Sequence, residues 1–349
     1  MKAVILVGGP GTRLQPLTDN LPKSMVPVLT VPVMEHTLAY LRNFGIEDVI
    51  LTLNYLPDAI KDVLGDGSRC GVRLTYCMED EPLGTAGAIK NTAEFLDGNT
   101  LVVLNGDIFT DLDISAMLEF HRKNAAKATI SLNYVEDPSA FGVVEMDERQ
   151  RVKAFIEKPP REEASSNWIN AGTYILEPEV LDYVPEKQHY MFERGLYPDL
   201  LAKGEPVFGY KHRGYWLDMG TPGKYYTLNM DMLEGRYRSP ATSALSGSGE
   251  HRHPEAVVEP TAHVFGTVII DRAAYIGNKV TINGPSVIGS HCRLEEGSTV
   301  DASILWENAT AGPGAHIDRC ILSREVKVDA NAHVSLQVIS PERMKNLEL

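Results

Sequence analysis

Short aliphatic runs alternate with amphipathic segments over the first hundred residues of the chain. Residues 3–7 are a continuous aliphatic run, which is typical of a strand buried on both faces of a parallel sheet, and the largely aliphatic segment 48–53 predicts a second buried strand. Shorter runs at 72–76 and 100–104 predict two further strands. Amphipathic spacing predicts helices between the strands, over about 34–44, 58–64 and 86–95. This β-α-β-α order predicts an α/β fold with a doubly wound, mainly parallel sheet, whose ligands lie at the carboxyl ends of the strands.

A six-residue repeat of aliphatic positions dominates the last quarter of the chain. The repeated positions are Val258, Val264, Ile270, Ile276, Ile282, Ile288, Leu294 and Val300. A hexapeptide period is the signature of a left-handed parallel β-helix, in which each rung of six residues forms one flat side. The phase slips around 306–313 and resumes at Leu322, which predicts about four coils.

Residues 236–256 separate these two patterns. The run from Ser239 to Gly249 is small, polar and without periodicity, which is typical of a linker or an exposed loop. The sequence therefore predicts a first domain over residues 1–235, a linker over 236–256 and a β-helix over 257–340.

Composition and charge narrow the classes of function. The chain has 349 residues, is 43% hydrophobic and carries a net charge of -14. This balance predicts a globular protein and weighs against nucleic acid or an anionic membrane surface as a partner. No run approaches the roughly 20 apolar residues of a membrane helix, so we expect a soluble, cytoplasmic protein. The four cysteines are widely spaced without a C-x-x-C pair, which favours reduced thiols over a zinc site or a disulfide framework.

A glycine-rich turn directly follows the first predicted strand. Gly8, Gly9 and Gly11 allow the backbone to approach a phosphate group and to point several N–H groups at it. Arg13 and Lys23 add two cations, which supply a local positive field in an acidic chain. A glycine turn with two solvated cations explains these residues equally well. The spacing matches neither the P-loop nor G-x-G-x-x-G.

The fourth predicted strand ends in Asn105-Gly106-Asp107. An aspartate at the end of a buried strand suits magnesium, which binds a few carboxylate oxygens together with phosphate oxygens. Taken alone, this tripeptide is more typical of a turn. Beside a phosphate-binding glycine turn, a metal-binding aspartate is the favoured interpretation.

The segment from Leu6 to Lys23 resembles the signature of the sugar-1-phosphate nucleotidyltransferases. The matching pattern is G-G-x-G-T-R-L-x-P-L-T followed by P-K. The resemblance implies a nucleotide-binding role for Leu6, Gly8, Gly9, Gly11, Thr12, Arg13 and Lys23. The two cations would neutralise the triphosphate. The family often has arginine or tyrosine where Gln15 stands, which leaves regulation open.

Further segments follow in the order that the family shows. The resemblance implies that Mg²⁺ is held by Asp107 and by Asp218, which lies in the segment Tyr215–Pro222. Trp216 in that segment is expected to pack. The family's sugar-phosphate pocket matches Gly142, Glu157, Lys158, Asn170 and Gly172. Lys158 would hold the sugar phosphate, while Glu157 and Asn170 would bind sugar hydroxyls. The catalytic residues expected from the resemblance are Arg13, Lys23, Asp107, Lys158 and Asp218.

The segment from Glu81 to Gly87 resembles the base-reading segment of the same family, with Gly84 and Thr85 against the nucleotide. Its G-T-A-G form, together with a C-terminal hexapeptide domain, is most similar to the mannose-1-phosphate guanylyltransferases. The resemblance implies that GTP and mannose 1-phosphate give GDP-mannose and pyrophosphate. Enzymes that act on glucose, heptose or N-acetylglucosamine 1-phosphate with another nucleotide carry similar segments and stay as alternatives.

The same sequence features bear on two other classes of function, an acyltransferase and a non-catalytic binding subunit. Hexapeptide β-helices occur in acyltransferases, but no acetyltransferase motif accompanies the histidines of this repeat: His263, His291, His316 and His333. A non-catalytic subunit that binds nucleotide sugar would usually lack the loop cations or the aspartates, which are all present here. A solenoid also exposes flat faces and a terminal coil, so we expect a homo-oligomer formed through the β-helix.

Overall fold

The computed structural model describes residues 1–245 and 249–349 of the chain. The described residues form two compact units. One contains residues 1–9 and 37–216, and the other contains residues 10–36 and 217–349. The chain therefore passes from one unit to the other three times.

A nine-stranded sheet forms the core of the first unit. Its central strand Lys2–Leu6 pairs in parallel with Asp48–Leu53 on one side and with Leu101–Asn105 on the other. The strand Arg73–Met78 pairs in parallel with Asp48–Leu53, on the side away from the central strand. The middle of the central strand is fully buried, as the continuous aliphatic run requires. The four predicted strands and their parallel arrangement are confirmed.

The rest of this sheet contains antiparallel pairs. The strand Trp168–Leu176 is antiparallel to Leu101–Asn105 and to Ala128–Tyr134. Val207–His212 pairs in parallel with Ala128–Tyr134. The hairpin of Gly142–Met146 and Val152–Glu157 joins at the beginning of Trp168–Leu176. The sheet is therefore mixed around a parallel core.

Short helices connect the strands. The α-helices of the described residues are Val33–Asn43, Pro57–Leu64, Gly84–Asn91, Ile114–Lys123, Tyr197–Ala202 and Pro222–Leu233. The helix predicted over 86–95 ends at Asn91, because the Thr92 hydroxyl donates to the Ile89 carbonyl oxygen at 2.8 Å and a 3-10 turn follows. No helix in the described part of the chain is long and apolar enough to cross a membrane.

Three parallel sheets build the left-handed β-helix of the second unit. The first contains Glu250–Arg252, Val268–Ile270, Ser286–Ile288, Ile304–Leu305, Ile321–Leu322 and Gln337–Ile339, and then the antiparallel strand Met344–Asn346. The second contains Val257–Val258, Tyr275–Ile276, Arg293–Leu294, Thr310–Ala311 and Lys327–Val328. The third contains His263–Phe265, Thr281–Asn283, Thr299–Asp301, His316–Asp318 and His333–Ser335. The aliphatic repeat supplies the buried interior, as predicted.

The number of coils and the phase slip differ from the prediction. Two of the sheets have five parallel strands and the first has six, so the β-helix has about five coils rather than four. The slip begins after Val300, where the next inward residue is Leu305, five positions on. Buried hydroxyl groups support the shortened corner: Ser286 Oγ accepts from Ser303 N at 3.1 Å, and Ser303 Oγ accepts from Cys320 N at 2.9 Å.

The segment predicted as a linker, 236–256, contains regular structure. Residues 246–248 of that segment lie outside the described residues. A 3-10 helix covers Pro240–Leu245, and Glu250–Arg252 is already the first strand of the β-helix. Ser239 is buried and its hydroxyl lies 2.6 Å from His36 Nδ1. Small polar residues made this segment resemble a linker, but two of them, Ser239 and Thr242, are buried and hydrogen-bonded within the second unit.

The compact units also divide the chain differently from the predicted domain limits. The helix Pro222–Leu233 packs on the β-helix through Tyr225, whose ring meets the ring of Trp306 edge-on at 6.1 Å. Tyr225 Oη accepts from Trp306 Nε1 at 2.8 Å and donates to the Pro27 carbonyl oxygen at 2.7 Å. These contacts join residues 10–36, this helix and the β-helix in one unit. The limits 1–235 and 257–340 remain a prediction based on the repeat.

None of the four cysteines forms a disulfide bond. Burial raises the pKa of the Cys292 thiol to about 12 and that of Cys320 to about 11. Both thiols therefore stay protonated at neutral pH and are poor nucleophiles. They act as small apolar groups inside the β-helix, whose core includes both.

Candidate active site

Two predicted site segments leave the sheet of the first unit from neighbouring strands. Leu6 and Asn105 lie side by side in the parallel register, and Gly106 N donates to the Leu6 carbonyl oxygen at 3.0 Å. The Gly8-Gly9 turn and Asp107 therefore begin at the same edge of the sheet. The carboxyl edge of a parallel sheet is the usual ligand-binding edge of this fold class.

The protein's own packing does not require a glycine at position 9. A β-carbon at Gly9 would meet no heavy atom of the described residues within 4 Å. One at Gly8 would lie 3.7 Å from Asn54 Cβ and from Glu79 Oε1, which is ordinary contact. The open backbone at this turn suits the close approach of a ligand such as a phosphate chain.

The glycines of the predicted base-reading segment have a structural role. Gly84 has a φ of +71°, and a β-carbon there would lie 2.9 Å from the Tyr190 carbonyl oxygen. At Gly87 it would lie 2.6 Å from the Gln188 carbonyl oxygen. The Thr85 hydroxyl accepts from Phe192 N at 2.8 Å. The helix Gly84–Asn91 is thereby held tightly against the 188–192 segment, which fixes where the base-reading segment lies.

Glu79 is a buried carboxylate at this edge of the sheet that the sequence analysis missed. It follows the strand Arg73–Met78, and its Oε2 accepts from Leu83 N at 3.0 Å, so it orders the segment before Gly84. Burial is the main cause that raises the pKa of Glu79. The available signal was its position directly after a predicted strand, the same signal that selected Asp107.

Three of the predicted sugar-phosphate residues, Gly142, Glu157 and Lys158, come together on one hairpin of the first unit. Gly142 and Glu157 are cross-strand partners, and a β-carbon at Gly142 would lie 2.4 Å from the Phe155 ring. Lys158 has a φ of +49°, and its N–H donates to the Phe141 carbonyl oxygen at 3.0 Å. Its exposed ammonium lies 3.5 Å from Glu157 Oε1. The hairpin thus presents a cation and a carboxylate next to each other.

Asn170 and Gly172 lie on the strand beside this hairpin. Asn170 Oδ1 accepts from Gly172 N at 3.1 Å, and its amide donates to Tyr174 Oη at 2.9 Å. Gly172 has a φ of +77°, and a β-carbon there would lie 2.8 Å from Asn105 Nδ2. Trp216 packs edge-on against Phe141, as expected, and it also donates to the Ala171 carbonyl oxygen at 2.9 Å.

A second buried carboxylate, Glu193, lies next to these residues and was also missed. Its Oε2 is buried without a hydrogen-bond partner among the described residues. Burial is the largest cause that raises the pKa of Glu193, and nearby Glu157 raises it further, while Thr85 and Lys158 lower it. It lies in a π-helical turn over Phe192–Leu196, so no helical or strand period marks it in the sequence.

The second unit carries the other part of the signature. Gly11 has a φ of +64°, and a β-carbon there would lie 3.1 Å from Lys23 Cβ. The Thr18 hydroxyl donates to the Gly11 carbonyl oxygen at 2.8 Å, which folds the segment back on itself. Thr12 and Arg13 begin a 3-10 turn with Leu14, and both are exposed. The glycine at position 11 is therefore required by the turn and by the approach of Lys23.

Asp218 and Arg13 belong to neighbouring segments of this unit. Gly220 lies against Arg13, since a β-carbon there would be 3.2 Å from both terminal nitrogens of the guanidinium. Gly220 N donates to the Asp218 carbonyl oxygen at 2.8 Å. Lys224, which the sequence analysis did not select, has its ammonium 4.0 Å from Asp218 Oδ2. The half-buried carboxylate thus has the Lys224 cation beside it.

No group of three or more His, Cys, Asp or Glu side chains in residues 1–245 and 249–349 forms a ready metal site. Single carboxylates at strand ends are a donor set that Mg²⁺ uses, because the ion takes its remaining ligands from substrate phosphates and water. The residues present therefore fit a metal that binds together with a nucleotide.

Comparison with known proteins identifies the family of this chain. Residues 2–235 match the nucleotidyl transferase family, and residues 251–346 match the GMPPB C-terminal domain. A mannose-1-phosphate guanylyltransferase of Mycobacterium tuberculosis is 40% identical over 300 residues, which cover 86% of this chain and 82% of that protein. A UTP--glucose-1-phosphate uridylyltransferase of Synechocystis is 34% identical over 354 residues, which cover 97% and 91%.

A similar solved structure is HddC from Yersinia pseudotuberculosis complexed with GMP-PN. It superposes with a TM-score of 0.56 at 30% sequence identity, covering 65% of this chain and 97% of that chain.

Proposed function

The chain belongs to the nucleotidyl transferase family, and we propose that it forms GDP-mannose from GTP and mannose 1-phosphate with release of pyrophosphate. Members of the family join a nucleoside triphosphate to a sugar phosphate and generally use a divalent metal. The observation that carries the guanine assignment is the buried carboxylate of Glu79 beside the glycine turn and the base-reading segment.

A carboxylate at this position suits guanine. An ionised carboxylate only accepts hydrogen bonds, and the Watson–Crick edge of guanine offers two adjacent donors, N1–H and the N2 amino group. Adenine, uracil and cytosine lack that pair of neighbouring donors. Glu79 Oε2 already accepts from Leu83 N, which holds the side chain while its other oxygen faces the glycine turn. The relatives named as guanylyltransferases support the same choice.

The proposed chemistry is an in-line displacement. An oxygen of the sugar phosphate attacks the α-phosphorus, the bond from that phosphorus to the bridging oxygen breaks, and pyrophosphate leaves with the electron pair. Arg13 and Lys23 neutralise the leaving pyrophosphate, and backbone N–H groups of Gly8 and Gly9 hold the phosphates. Lys158 positions the attacking phosphate. Positioning and charge neutralisation are the main contributions of the protein to such reactions.

The sugar is held by the hairpin residues in this proposal. Glu157 accepts from sugar hydroxyls, and Asn170 offers its amide beside Gly172. Glu193 adds a buried carboxylate oxygen. In this proposal that oxygen accepts a hydrogen bond from a sugar hydroxyl when the substrate is bound. An unsatisfied buried carboxylate is costly in the free protein, so a ligand that satisfies it gains affinity.

Mg²⁺ is the proposed metal, with Asp107 and Asp218 as its protein ligands. When bound, it would neutralise charge on the triphosphate. The support for Asp107 is its position after a buried strand beside the glycine turn, and the support for Asp218 is the family pattern around it.

One second candidate has specific support. The uridylyltransferase relative matches nearly the whole chain, so UTP with glucose 1-phosphate is the alternative substrate pair. The same displacement and the same cations would serve it. It differs in the base, since uracil presents a single N–H between two carbonyl groups.

The test is pyrophosphate release across a matrix of four nucleoside triphosphates and several hexose 1-phosphates. We expect the strongest signal with GTP and mannose 1-phosphate, its loss with EDTA, and its recovery on adding Mg²⁺. A strongest signal with UTP and glucose 1-phosphate would keep the mechanism and reject the guanine assignment. Release that persists in EDTA would reject the metal, and silence throughout with tight binding of nucleotide sugar would reject the enzyme.

Cytoplasmic location and a homo-oligomer formed through the β-helix are also proposed. Among the described residues, the strands Val257–Val258 and His263–Phe265 each pair on one side only, and Phe265 is 56% exposed. An open edge with exposed apolar side chains favours association with a second copy. Light scattering on the purified protein would check this, and a monomeric mass at micromolar concentration would contradict it.

A further inference from the structure

The last residues of the chain contact the signature segment inside the second unit. Arg343 Nε donates to Asp19 Oδ2 at 2.8 Å, and its Nη2 donates to Asp19 Oδ1, so the pair is bidentate. Asn20 Nδ2 donates to Glu342 Oε1 at 3.3 Å. Lys345 Nζ donates to the Gln15 carbonyl oxygen at 3.4 Å. Hydrogen bonds from three residues of the segment 342–345 thus tie it to residues 15–20.

The contacted residues lie between the two cations of the signature. Asp19 comes six positions after Arg13 and four before Lys23. The Thr18 hydroxyl binds the Gly11 carbonyl oxygen, and Gly11 lies against the side chain of Lys23. A displacement of Asp19 would therefore move both the turn that carries Arg13 and the turn that carries Lys23.

A partly open cavity borders this segment. The cavity, of about 350 Å³, lies between the segment and the β-helix. The segment lines it with Leu17, Leu21 and Met25, and the β-helix lines it with Val287, Ile304 and Trp306. Because protein atoms do not fill this space, the segment has room to shift into it. The polar contacts with residues 342–345 therefore contribute more to keeping residues 15–20 in position.

We propose that Arg343 is a positioning residue for nucleoside triphosphate binding, which acts through Asp19 to hold Arg13 and Lys23 in place. This inference rests on the proposed roles of those two cations. In this proposal Arg343 acts through its contact with Asp19 and not on the substrate directly. The terminal strand Met344–Asn346, which pairs antiparallel with Gln337–Ile339, anchors the arginine to the rigid β-helix. A fork-shaped guanidinium on a carboxylate fixes orientation as well as distance.

The experiment compares full-length Arg343→Gln with the unmodified protein. We expect about a tenfold loss in kcat/KM for the nucleoside triphosphate, because small misplacements of charged groups cost that much or more. The KM for the sugar 1-phosphate should change less than twofold. The thermal midpoint should fall by less than about 4 °C, since the Arg343 and Asp19 side chains are 39% and 17% exposed and such pairs add little stability.

Two further variants separate positioning from general damage. Arg343→Lys keeps the charge but loses the fork, and we expect it to recover at least threefold of the loss. Arg293→Gln breaks a matched ion pair with Glu295 (3.1 Å) that stays within the β-helix, and it should leave both kinetic constants unchanged. Unchanged kinetics in Arg343→Gln, an equal loss for both substrates, or an equal loss in the Arg293 variant would overturn the proposal.

Calorimetric binding of the nucleoside triphosphate alone distinguishes this inference from the proposed function. Arg343→Gln should weaken that binding about tenfold even if the sugar 1-phosphate has been misassigned. If the unmodified protein binds no nucleoside triphosphate, the proposed function fails. If it binds and Arg343→Gln binds equally well, only the role of Arg343 fails.

Discussion

At the scale of single residues, the first unit keeps two carboxylates away from water. Glu79 is 8% exposed, and an oxygen of Glu193 is fully buried without a partner in the described chain. Burial of a charged group raises its free energy, so a fold that served stability alone would place neutral side chains here. Both lie beside predicted substrate segments, where perturbed acids are common. We infer that binding, not folding, is the reason for these residues.

The exchange Glu79→Gln tests the guanine assignment. The glutamine amide keeps one oxygen that accepts from Leu83 N, but it presents an N–H donor in place of the oxygen proposed to accept from guanine. The kcat/KM for GTP should therefore fall about 10- to 100-fold. ITP lacks the N2 amino group, so the preference for GTP over ITP should shrink in the variant. The thermal midpoint should not fall, because the desolvated charge is removed.

Steady-state kinetics with GTP and ITP provide the measurement, with the exposed Glu94→Gln as the matched control. An unchanged ratio of GTP to ITP in Glu79→Gln would show that the base edge does not meet this carboxylate.

At the scale of elements, short polar contacts decide how irregular segments are held. The segment 10–36 has little regular structure apart from two 3-10 turns and a two-residue hairpin pairing, before the helix Val33–Asn43. His36 anchors its end, with Nε2 3.0 Å from the Val28 carbonyl oxygen and Nδ1 2.6 Å from Ser239 Oγ. Burial is the largest cause that lowers the pKa of His36 to about 4. The neutral ring satisfies both contacts, as donor to Val28 and acceptor from Ser239.

This pKa predicts a loss of stability in acid. His36 binds a proton near pH 6.5 in the unfolded chain and near pH 4 in the folded protein. The contribution of His36 to the free energy of unfolding is therefore fully present above pH 6.5 and is lost as the pH falls toward 4. Between pH 7 and pH 5 it amounts to about 2 kcal/mol. His36→Gln should lower stability at pH 7 and flatten this slope.

Chemical denaturation at the two pH values measures the difference between the variant and the unmodified protein. The exposed His333→Gln is the control and should keep the slope. Parallel pH dependences for the unmodified protein and the His36 variant would contradict the prediction.

At the scale of the whole molecule, the order of the chain does not follow its compact units. Residues 10–36 leave the first unit directly after the glycine turn and pack with the helix Pro222–Leu233 and the β-helix. Part of the signature is therefore stabilised by distant residues, since Asp19 binds Arg343, which lies 324 positions away. The second compact unit therefore contains residues on both sides of the predicted limit at residue 235.

A fragment of residues 1–235 should therefore fail to fold independently. Tyr225 is fully buried and would lose Trp306, and Tyr226 would lose its 2.7 Å bond to the Ala302 carbonyl oxygen. We expect the fragment to aggregate or to bind a hydrophobic dye, and co-expression with residues 236–349 to restore solubility. Solubility and dye binding are the measurements. A soluble, cooperatively unfolding fragment with catalytic activity would contradict this.

The sequence by itself determined the parallel core of the sheet, the β-helix and the signature residues. These depend on local information, because buried strands need continuous aliphatic runs, six-residue rungs need an aliphatic residue at each period, and phosphate-binding turns need glycines beside cations. The roles of Arg13, Lys23, Asp107, Lys158 and Asp218 came from the family pattern and await the experiments above.

Only the tertiary structure decided which unit holds each segment, which carboxylates are buried and which residues support the signature. Arg343 and Asp19 are 324 positions apart, and no period or motif links them. Glu193 lies in a π-helical turn, and the linker-like Ser239 is buried against His36. Such pairs are set by how distant elements pack, because a polar residue has the same appearance in the sequence whether its partner is water or a side chain hundreds of residues away.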